Sequence, residues 1–303
     1  MKYIFIINPT AGKTDRSASL SEAITSVFEK HGLVKDLIIH ITEGIGEATT
    51  YTKTIAETHT ERLRFYACGG DGTLGEVVNG VFGHPHCAVG ILPIGTGNDF
   101  IKSFDQYQTK DFLDIEKQLF AQEEVIDLMR MGDTISINLI STGLDSAIAK
   151  NVMKFKNLPL VNGPAAYNLS LAYCFFTSLD NHFSYRVDGE LFPKDNYIFA
   201  VIANAQYYGG GYRAAPEANV QDGLLDFICV KRVSRMKVLQ LVNIYKRGEH
   251  LHIPDIVIFR RCKEVELIAD HKLIMNVDGE IENLQNPKIT IDQKALLFLF
   301  PQK

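Results

Sequence analysis

Cys68-Gly69-Gly70-Asp71-Gly72-Thr73-Leu74-Gly75-Glu76-Val77-Val78-Asn79-Gly80 carries the densest chemistry in the chain. An apolar run, 64–68, precedes it, and Leu74, Val77, Val78 and Val81 follow at helical spacing. Glycines in a strand-to-helix turn let the backbone approach a bulky anion, and the helix start offers free N–H groups and a positive dipole end. Asp71 alone would repel a phosphate there. A cation between them resolves the conflict, and Mg²⁺ on a nucleoside triphosphate is the usual arrangement. The plain alternative is a tight turn of an α/β protein.

Other stretches could join the same chemistry. Asn8-Pro9-Thr10-Ala11-Gly12-Lys13-Thr14 ends like a P-loop, but Ile7 stands where that motif needs its first glycine. A P-loop is therefore rejected, while Asn8, Gly12 and Lys13 remain candidates for phosphate contact. A dinucleotide fingerprint after the first strand is missing too. Gly95-Thr96-Gly97-Asn98-Asp99 supplies amides and a hydroxyl, or else an ordinary capped loop. Tyr208-Gly209-Gly210-Gly211-Tyr212 is a second glycine run, followed by Asn219 to Asp226, where Asp222 among loop carbonyls suits a hard cation or simply a turn. Val-Asp-Gly-Glu occurs at 187–190 and again at 277–280. Either Glu190 or Glu280 can serve as general base for a hydroxyl, and spacing does not choose. The histidines form no metal pattern, and no G-x-S-x-G elbow occurs.

These residues need elements to hold them. Strands are expected at 2–7, 36–41, 64–68 and 88–92, with helices at 17–31 and 47–59 and after the central turn. Shorter helices are expected over 98–104 and 111–121. This β-α-β alternation describes a parallel sheet wrapped by helices, with ligands beyond the carboxyl ends of its strands. Loops 8–14, 69–73 and 95–99 all follow strand ends. From 124 the texture turns to strands: 124–131, 135–139, 184–187, 197–204, 224–230, 256–261, 265–269 and 295–300. Helical insertions interrupt it near 146–180 and 234–247. The fold class is α/β: an N-terminal parallel-sheet nucleotide domain, 1–123, and a mainly β C-terminal domain, 124–289, a sandwich or barrel. Segment 290–303 is free to rejoin the first domain.

Composition bounds the partners. A net charge of −5 does not favour nucleic acid. The five cysteines are scattered and lack a C-x-x-C pair, as expected of reduced cytosolic thiols. No apolar run is long enough to span a bilayer, so membrane contact is expected to be peripheral. Basic residues cluster at Arg232, Arg235, Lys237, Lys246 and Arg247. The apolar stretch Tyr167–Phe176 reads first as core, with an acyl path or bilayer contact as the functional alternative.

Together, Asn8-Pro9-x-Ala11-Gly12, Gly69 to Gly80, Gly95 to Asp99, Gly209 to Asp226 and Asp278-Gly279-Glu280 resemble the soluble bacterial diacylglycerol kinases, a family that includes sphingosine and ceramide kinases. The resemblance covers nearly the whole chain, in order. It implies a first domain like that of NAD kinases and phosphofructokinases and a second domain that is a β-sandwich, with the lipid entering between them. It implies ATP over Asn8, Thr42, Gly69, Gly70, Asp71, Gly72, Thr73 and Thr96, with Asp71 working on the catalytic Mg²⁺. Asp222 would anchor a structural Mg²⁺ with carbonyls of Asn219 and Leu224, and Asp127 would join that network. Glu280 matches the general base. Gly75 stands where many members carry Asn. The family's network lysine falls on Lys154 or Lys156 and is left unassigned.

The expected activity is thus phosphorylation of a lipid hydroxyl, diacylglycerol to phosphatidic acid first. The alternatives are another acceptor, such as a sphingoid base or phosphatidylglycerol, an NAD kinase relative, or a nucleotide-binding regulator without catalysis. Location is expected to be cytoplasmic, peripheral on the inner face of the membrane, and a homodimer is allowed.

Overall fold

β1 (Lys2–Ile7) is apolar almost throughout because it is covered on both faces. Tyr3, Phe5 and Ile7 pack with Ile24 and Phe28 of α1 (Ser17–Lys30), while Ile4 and Ile6 are buried on the opposite side. Each such side chain contributes roughly 1.5–3 kcal/mol of burial. The computed structural model describes residues 1–156, 163–177 and 179–303. The chain divides into two units, Met1–Leu128 with Asp292–Lys303, and Met129–Ile291.

In the first unit β2 (Leu37–Ile41), α2 (Glu47–Thr58), β3 (Leu63–Gly69), α3 (Asp71–Val81) and β4 (Cys87–Pro93) continue the alternation. The strands lie parallel in the order β2-β1-β3-β4. Phe5 stacks on Tyr66 at 4.6 Å between ring centroids. The expected helices after β4 are shorter than the periodicity suggests. A 3-10 turn covers Phe100–Ser103, and the second run splits into α4 (Thr109–Leu113) and α5 (Ile115–Leu119). The break falls at Asp114, whose side chain accepts the N–H of Lys117 and caps α5.

β5 (Gln122–Met131) leads out of this unit, and the end of the chain leads back. The last strand, Lys288–Phe300, runs parallel to β4, with Leu297 opposite Ala88 and Phe298 opposite Val89. It is kinked at Lys294, which has a left-handed φ of 53°. Buried Asp127 accepts the Lys294 N–H at 2.7 Å and so holds the kink.

The second unit contains β6 (Thr134–Ser136), β7 (Leu139–Gly143), α6 (Leu144–Lys156), α7 (Gly163–Thr177), β8 (Asn181–Val187), β9 (Glu190–Ala203), β10 (Leu225–Lys231), α8 (Arg235–Lys246), β11 (Val257–Cys262), β12 (Glu264–Ile268), β13 (Leu273–Val277) and β14 (Glu280–Leu284). The long last strand is β15, and its first residues belong here. The order is β14-β13-β7-β9-β8-β12-β15, and β10 pairs with both β9 and β11. Alternation along β9 decides which core each residue enters. Tyr197, Ala200 and Ile202 face one core, and Ile198, Val201 and Ala203 the other, which α6, α7 and α8 help to build.

Three expectations are corrected here. The strand expected at 135–139 is two strands, because the amides of Ile137, Asn138 and Leu139 turn to a carboxylate, that of Asp278. β9 begins at Glu190, before the polar run that masks it in sequence. The hairpin-type turn expected at Asp278-Gly279 is present, but its flanking strands β13 and β14 are not among the expected ones, since Asn276, Glu280 and Glu282 dilute their apolar pattern. The insertion expected over 146–180 contains most of α6 and all of α7. Residues 157–162 and 178, and the side chain of Tyr167, lie outside the described residues. All five cysteines are buried free thiols.

Candidate functional site

In the first unit four loops are tied together at the carboxyl ends of their strands. β3 ends at Gly69, Gly70 is extended, and Asp71 is the first residue of α3. Asn8, just past β1, donates its N–H to the Cys68 carbonyl at 3.0 Å and its side-chain amide to Thr73 Oγ1 at 3.1 Å. Thr42, just past β2, is buried and donates its N–H to the Ile7 carbonyl at 2.9 Å. Gly95 donates its N–H to the Gly69 carbonyl at 3.0 Å. A Cβ on Gly95 would stand 2.5 Å from Gly70 Cα, so these loops meet only because Gly95 lacks a side chain. Gly72 and Thr96 are exposed, and Thr73 is buried.

Asp71 ties its own loop to the one after β4. Its Oδ2 accepts the Asp99 N–H at 2.9 Å and its Oδ1 the Phe100 N–H at 3.1 Å. Burial raises its carboxyl above the ordinary range, and those two amides pull the other way. Asp99 is itself paired with Lys102 Nζ at 2.6 Å. Each Asp71 oxygen accepts one of these amides, and a carboxylate oxygen can take two partners. The donor set therefore fits a nucleotide-bound Mg²⁺, which commonly takes one or two protein carboxylates and fills its shell from phosphates and water. Among the described residues no group of three or more His, Cys, Asp or Glu side chains forms a closed metal cage.

In the second unit Asn219, Asp222 and Leu224 lie on one turn before β10. Asp222 Oδ1 accepts the Leu224 N–H at 3.0 Å, and its N–H reaches the Asn219 carbonyl at 3.4 Å. The guanidinium of Arg261 bridges Asp222 Oδ2 and, at 3.2 Å, Asp226 Oδ1. Asp226 and Arg261 are cross-strand partners on β10 and β11. Burial pushes the Asp226 carboxyl up to about 7 against the pull of Arg261. A cation is thus already built into this corner. A Mg²⁺ here would have to share Asp222 with Arg261, so the residues do not offer it a free carboxylate.

The two Val-Asp-Gly-Glu segments are hairpin turns of one design. Asp188 and Asp278 both have left-handed φ, 46° and 47°. Asp188 Oδ1 accepts the amides of Lys263 and Glu264, at 2.9 and 3.0 Å. Asp278 accepts those of Ile137 (2.8 Å), Asn138 (3.2 Å) and Leu139 (2.9 Å). Burial pushes the Asp278 carboxyl up to about 6, although these amides favour its charged form. Glu190 and Glu280 follow as exposed first residues of β9 and β14.

The 278 turn alone is backed by a buried polar chain. Asn276 Oδ1 accepts the Gly279 N–H at 2.9 Å, and Asn276 Nδ2 donates to Asp145 Oδ2 at 3.3 Å. Asp145 also takes the hydroxyls of Ser141 and Tyr208, and Tyr245 bonds Tyr208 at 3.2 Å between oxygens. Burial raises the Asp145 carboxyl despite these partners. Sequence reasoning missed Asp145, which no motif marks. In sequence Tyr208 reads only as the edge of the glycine run, where Gly209, Gly210 and Gly211 all take left-handed φ and turn Tyr212 back onto it.

Residues 2–131 match the diacylglycerol kinase catalytic domain, and residues 138–299 match the YegS C-terminal NAD kinase beta sandwich-like domain. The chain belongs to the diacylglycerol kinase family. A diacylglycerol kinase of Staphylococcus carnosus is 29% identical over 279 residues, covering 91% of this chain and 87% of its own. That of Bacillus subtilis is 26% identical over 278 residues, covering 91% and 88%. A diacylglycerol kinase structure from Bacillus anthracis superposes with a TM-score of 0.70 at 17% identity, covering 99% of this chain and 96% of that one. An NAD kinase from Archaeoglobus fulgidus in complex with ATP follows with 0.52 at 13% identity, covering 99% and 93%. These structures carry the fold: a parallel-sheet first domain and a β-sandwich second domain. As a member of this family the protein is an enzyme, a lipid kinase. Among its described residues no helix is long and apolar enough to cross a membrane.

Proposed function

We propose that this kinase transfers the γ-phosphoryl group of ATP to the free hydroxyl of diacylglycerol, yielding ADP and phosphatidic acid, with Mg²⁺ required. The observation that carries the reading is Asp71 as first residue of α3, joining two glycine loops whose main chains touch. Amides of Gly69, Gly70, Gly72 and Thr73 and the side chains of Asn8, Thr42 and Thr96 hold the triphosphate. Asp71 holds Mg²⁺ against it. When bound, that ion neutralises charge on the phosphate oxygens. Glu280 accepts the proton from the acceptor hydroxyl as the oxygen attacks phosphorus, and the β–γ bridging oxygen leaves with ADP. Asp127 and Asp222 are given no step: the one holds β15 and the other is already neutralised by Arg261.

Choice of Glu280 over Glu190 rests on the family resemblance and on the polar chain behind its turn. An acceptor with two acyl chains resides in a bilayer, so the enzyme works as a peripheral protein at the cytoplasmic face of the membrane. The test is transfer of labelled phosphate from ATP with Mg²⁺ to diacylglycerol, sphingosine, phosphatidylglycerol and NAD in parallel. Diacylglycerol should dominate, and the signal should fall roughly 100-fold or more in Glu280→Gln. Labelling of sphingosine or phosphatidylglycerol instead reassigns the acceptor. ATP binding with no transfer to any of the four would leave a regulator.

A further inference from the structure

α7 is apolar on the side where a surface helix is normally polar. Its inward face buries Ser170 and Cys174, with Leu171 and Phe175 packed alongside. Its outward face places Leu169, Tyr173 and Phe176 in solvent at 45%, 51% and 67% exposure. These positions recur at helical spacing, so they form a stripe. Residues 163–179 include no Asp, Glu, Lys or Arg.

α8 extends the stripe. Arg235 Nε and Nη2 donate to the carbonyls of Phe175 and Phe176, at 3.3 and 2.9 Å, closing the end of α7 with the start of α8. The next residue, Met236, is 68% exposed, and Leu239 one turn on is 54% exposed, while Val238 turns inward. Five large exposed apolar side chains therefore lie on two helices that Arg235 joins end to start. Basic charge runs through it: residues 232–247 include Arg232, Arg235, Lys237, Lys246 and Arg247 and no acid. Arg232 is paired with Asp180 and Arg247 with Glu249. Even so, the segment is positive in a chain whose net charge is −5.

We infer that the α7–α8 face docks on an anionic phospholipid bilayer, with Leu169, Tyr173, Phe176, Met236 and Leu239 entering the headgroup boundary and Arg235 and Lys237 meeting lipid phosphates. Exposed apolar side chains beside basic ones are what an interfacial helix presents. A second copy of the chain suits this face less well. A two-fold contact would set the same basic segment against itself. The inference rests on the lipid-kinase reading for its purpose, but binding can be measured without catalysis.

The full chain, without ATP, is floated with vesicles of phosphatidylcholine alone and of phosphatidylcholine mixed with phosphatidylglycerol. The wild type should bind only the mixed vesicles and be released by high salt. Met236→Ser combined with Leu239→Ser should lower bound protein about tenfold or more. Lys237→Glu should weaken binding to mixed vesicles. Both variants should unfold at the wild-type temperature and phosphorylate a monomeric short-chain diacylglycerol at the wild-type rate. Wild-type flotation by the double variant, or no flotation by the wild type, overturns the inference. So does a wild-type dimer in sedimentation that the double variant dissociates, which would give the face to a second copy. Failure of the short-chain assay in the wild type would instead strike the kinase reading and leave the flotation result standing.

Discussion

Asp278 and Leu139 are bonded in both directions: the Leu139 N–H donates to the Asp278 carboxylate at 2.9 Å, and the Asp278 N–H donates back to the Leu139 carbonyl at 3.1 Å. With the amides of Ile137 and Asn138, this locks the turn before Glu280 onto the gap between β6 and β7. The base proposed above must be held still to be useful, and the turn before it is held by main chain.

Replacing Asp278 by Ala should therefore cost about 2–3 kcal/mol in denaturant unfolding, since buried amides lose their acceptor. It should also lower kcat with little change in KM for ATP. Asp188→Ala is the control: it undoes the same kind of turn and should lose stability without losing kcat beyond the unfolded fraction. Equal kcat losses in the two variants would remove the distinction between the turns.

Glu280→Gln should reduce transfer roughly 100- to 10,000-fold, the range for loss of a general base. The residue is exposed, so the unfolding midpoint should stay put. Glu190→Gln should turn over like the wild type. A wild-type rate in purified Glu280→Gln would sink the assignment.

The contact between loops 69–73 and 95–99 has no room to spare. Gly95→Ala would place a methyl 2.5 Å from Gly70 Cα, and main chain must move to admit it. We expect weaker ATP binding, tenfold or more by order of magnitude, read by calorimetry. Asp71→Asn should abolish transfer while leaving ATP binding without Mg²⁺ largely intact, since an amide keeps an acceptor for one main-chain N–H but loses the charge for the metal.

Arg261→Ala leaves Asp222 and Asp226 without their shared counterion. Stability should fall by about 1–3 kcal/mol, less than for a fully enclosed pair because the guanidinium is partly exposed. The wild type should show little Mg²⁺ dependence in thermal unfolding without nucleotide, and the variant should gain one as the ion takes the vacated place. A wild type strongly stabilised by Mg²⁺ alone, and insensitive to Arg261→Ala, would show that the metal outranks the guanidinium.

His250 gives a pH signature. It is buried against the Ala214 carbonyl at 3.0 Å, and burial lowers its pKa to about 4. The unfolded chain protonates near 6.5, so it binds more protons than the folded one between the two values. Stability is fully present above pH 6.5 and is lost as pH falls toward 4, by about 3 kcal/mol at most. His250→Gln should flatten that part of the unfolding profile measured against pH. An unchanged slope would assign the loss to other groups.

The first unit was readable because its signals are local. A parallel strand covered on both faces is one apolar run, as in β1, and Gly69 to Asp71 sits where β3 becomes α3. The second unit hid what depends on distant partners. Nothing near 137–139 announces that its amides belong to a carboxylate at 278, so two strands read as one. Likewise Asp222 reads as a cation site until Arg261 arrives from a different strand. Asp145 is invisible for the same reason: its partners come from β7, β13 and the glycine run. The twin turns at 188 and 278 are identical in sequence over four residues and differ only in what backs them.

β15 closes the parallel sheet with residues made after the sandwich strands. Until Leu297 and Phe298 emerge from the ribosome, the edge of β4 that they cover has no partner, and the nucleotide-binding unit stays one strand short. During synthesis the sandwich residues are therefore complete before the sheet that precedes them in the gene. A nascent chain stalled ahead of residue 292 would hold an open, apolar strand edge, ready for a chaperone or for another unfinished copy.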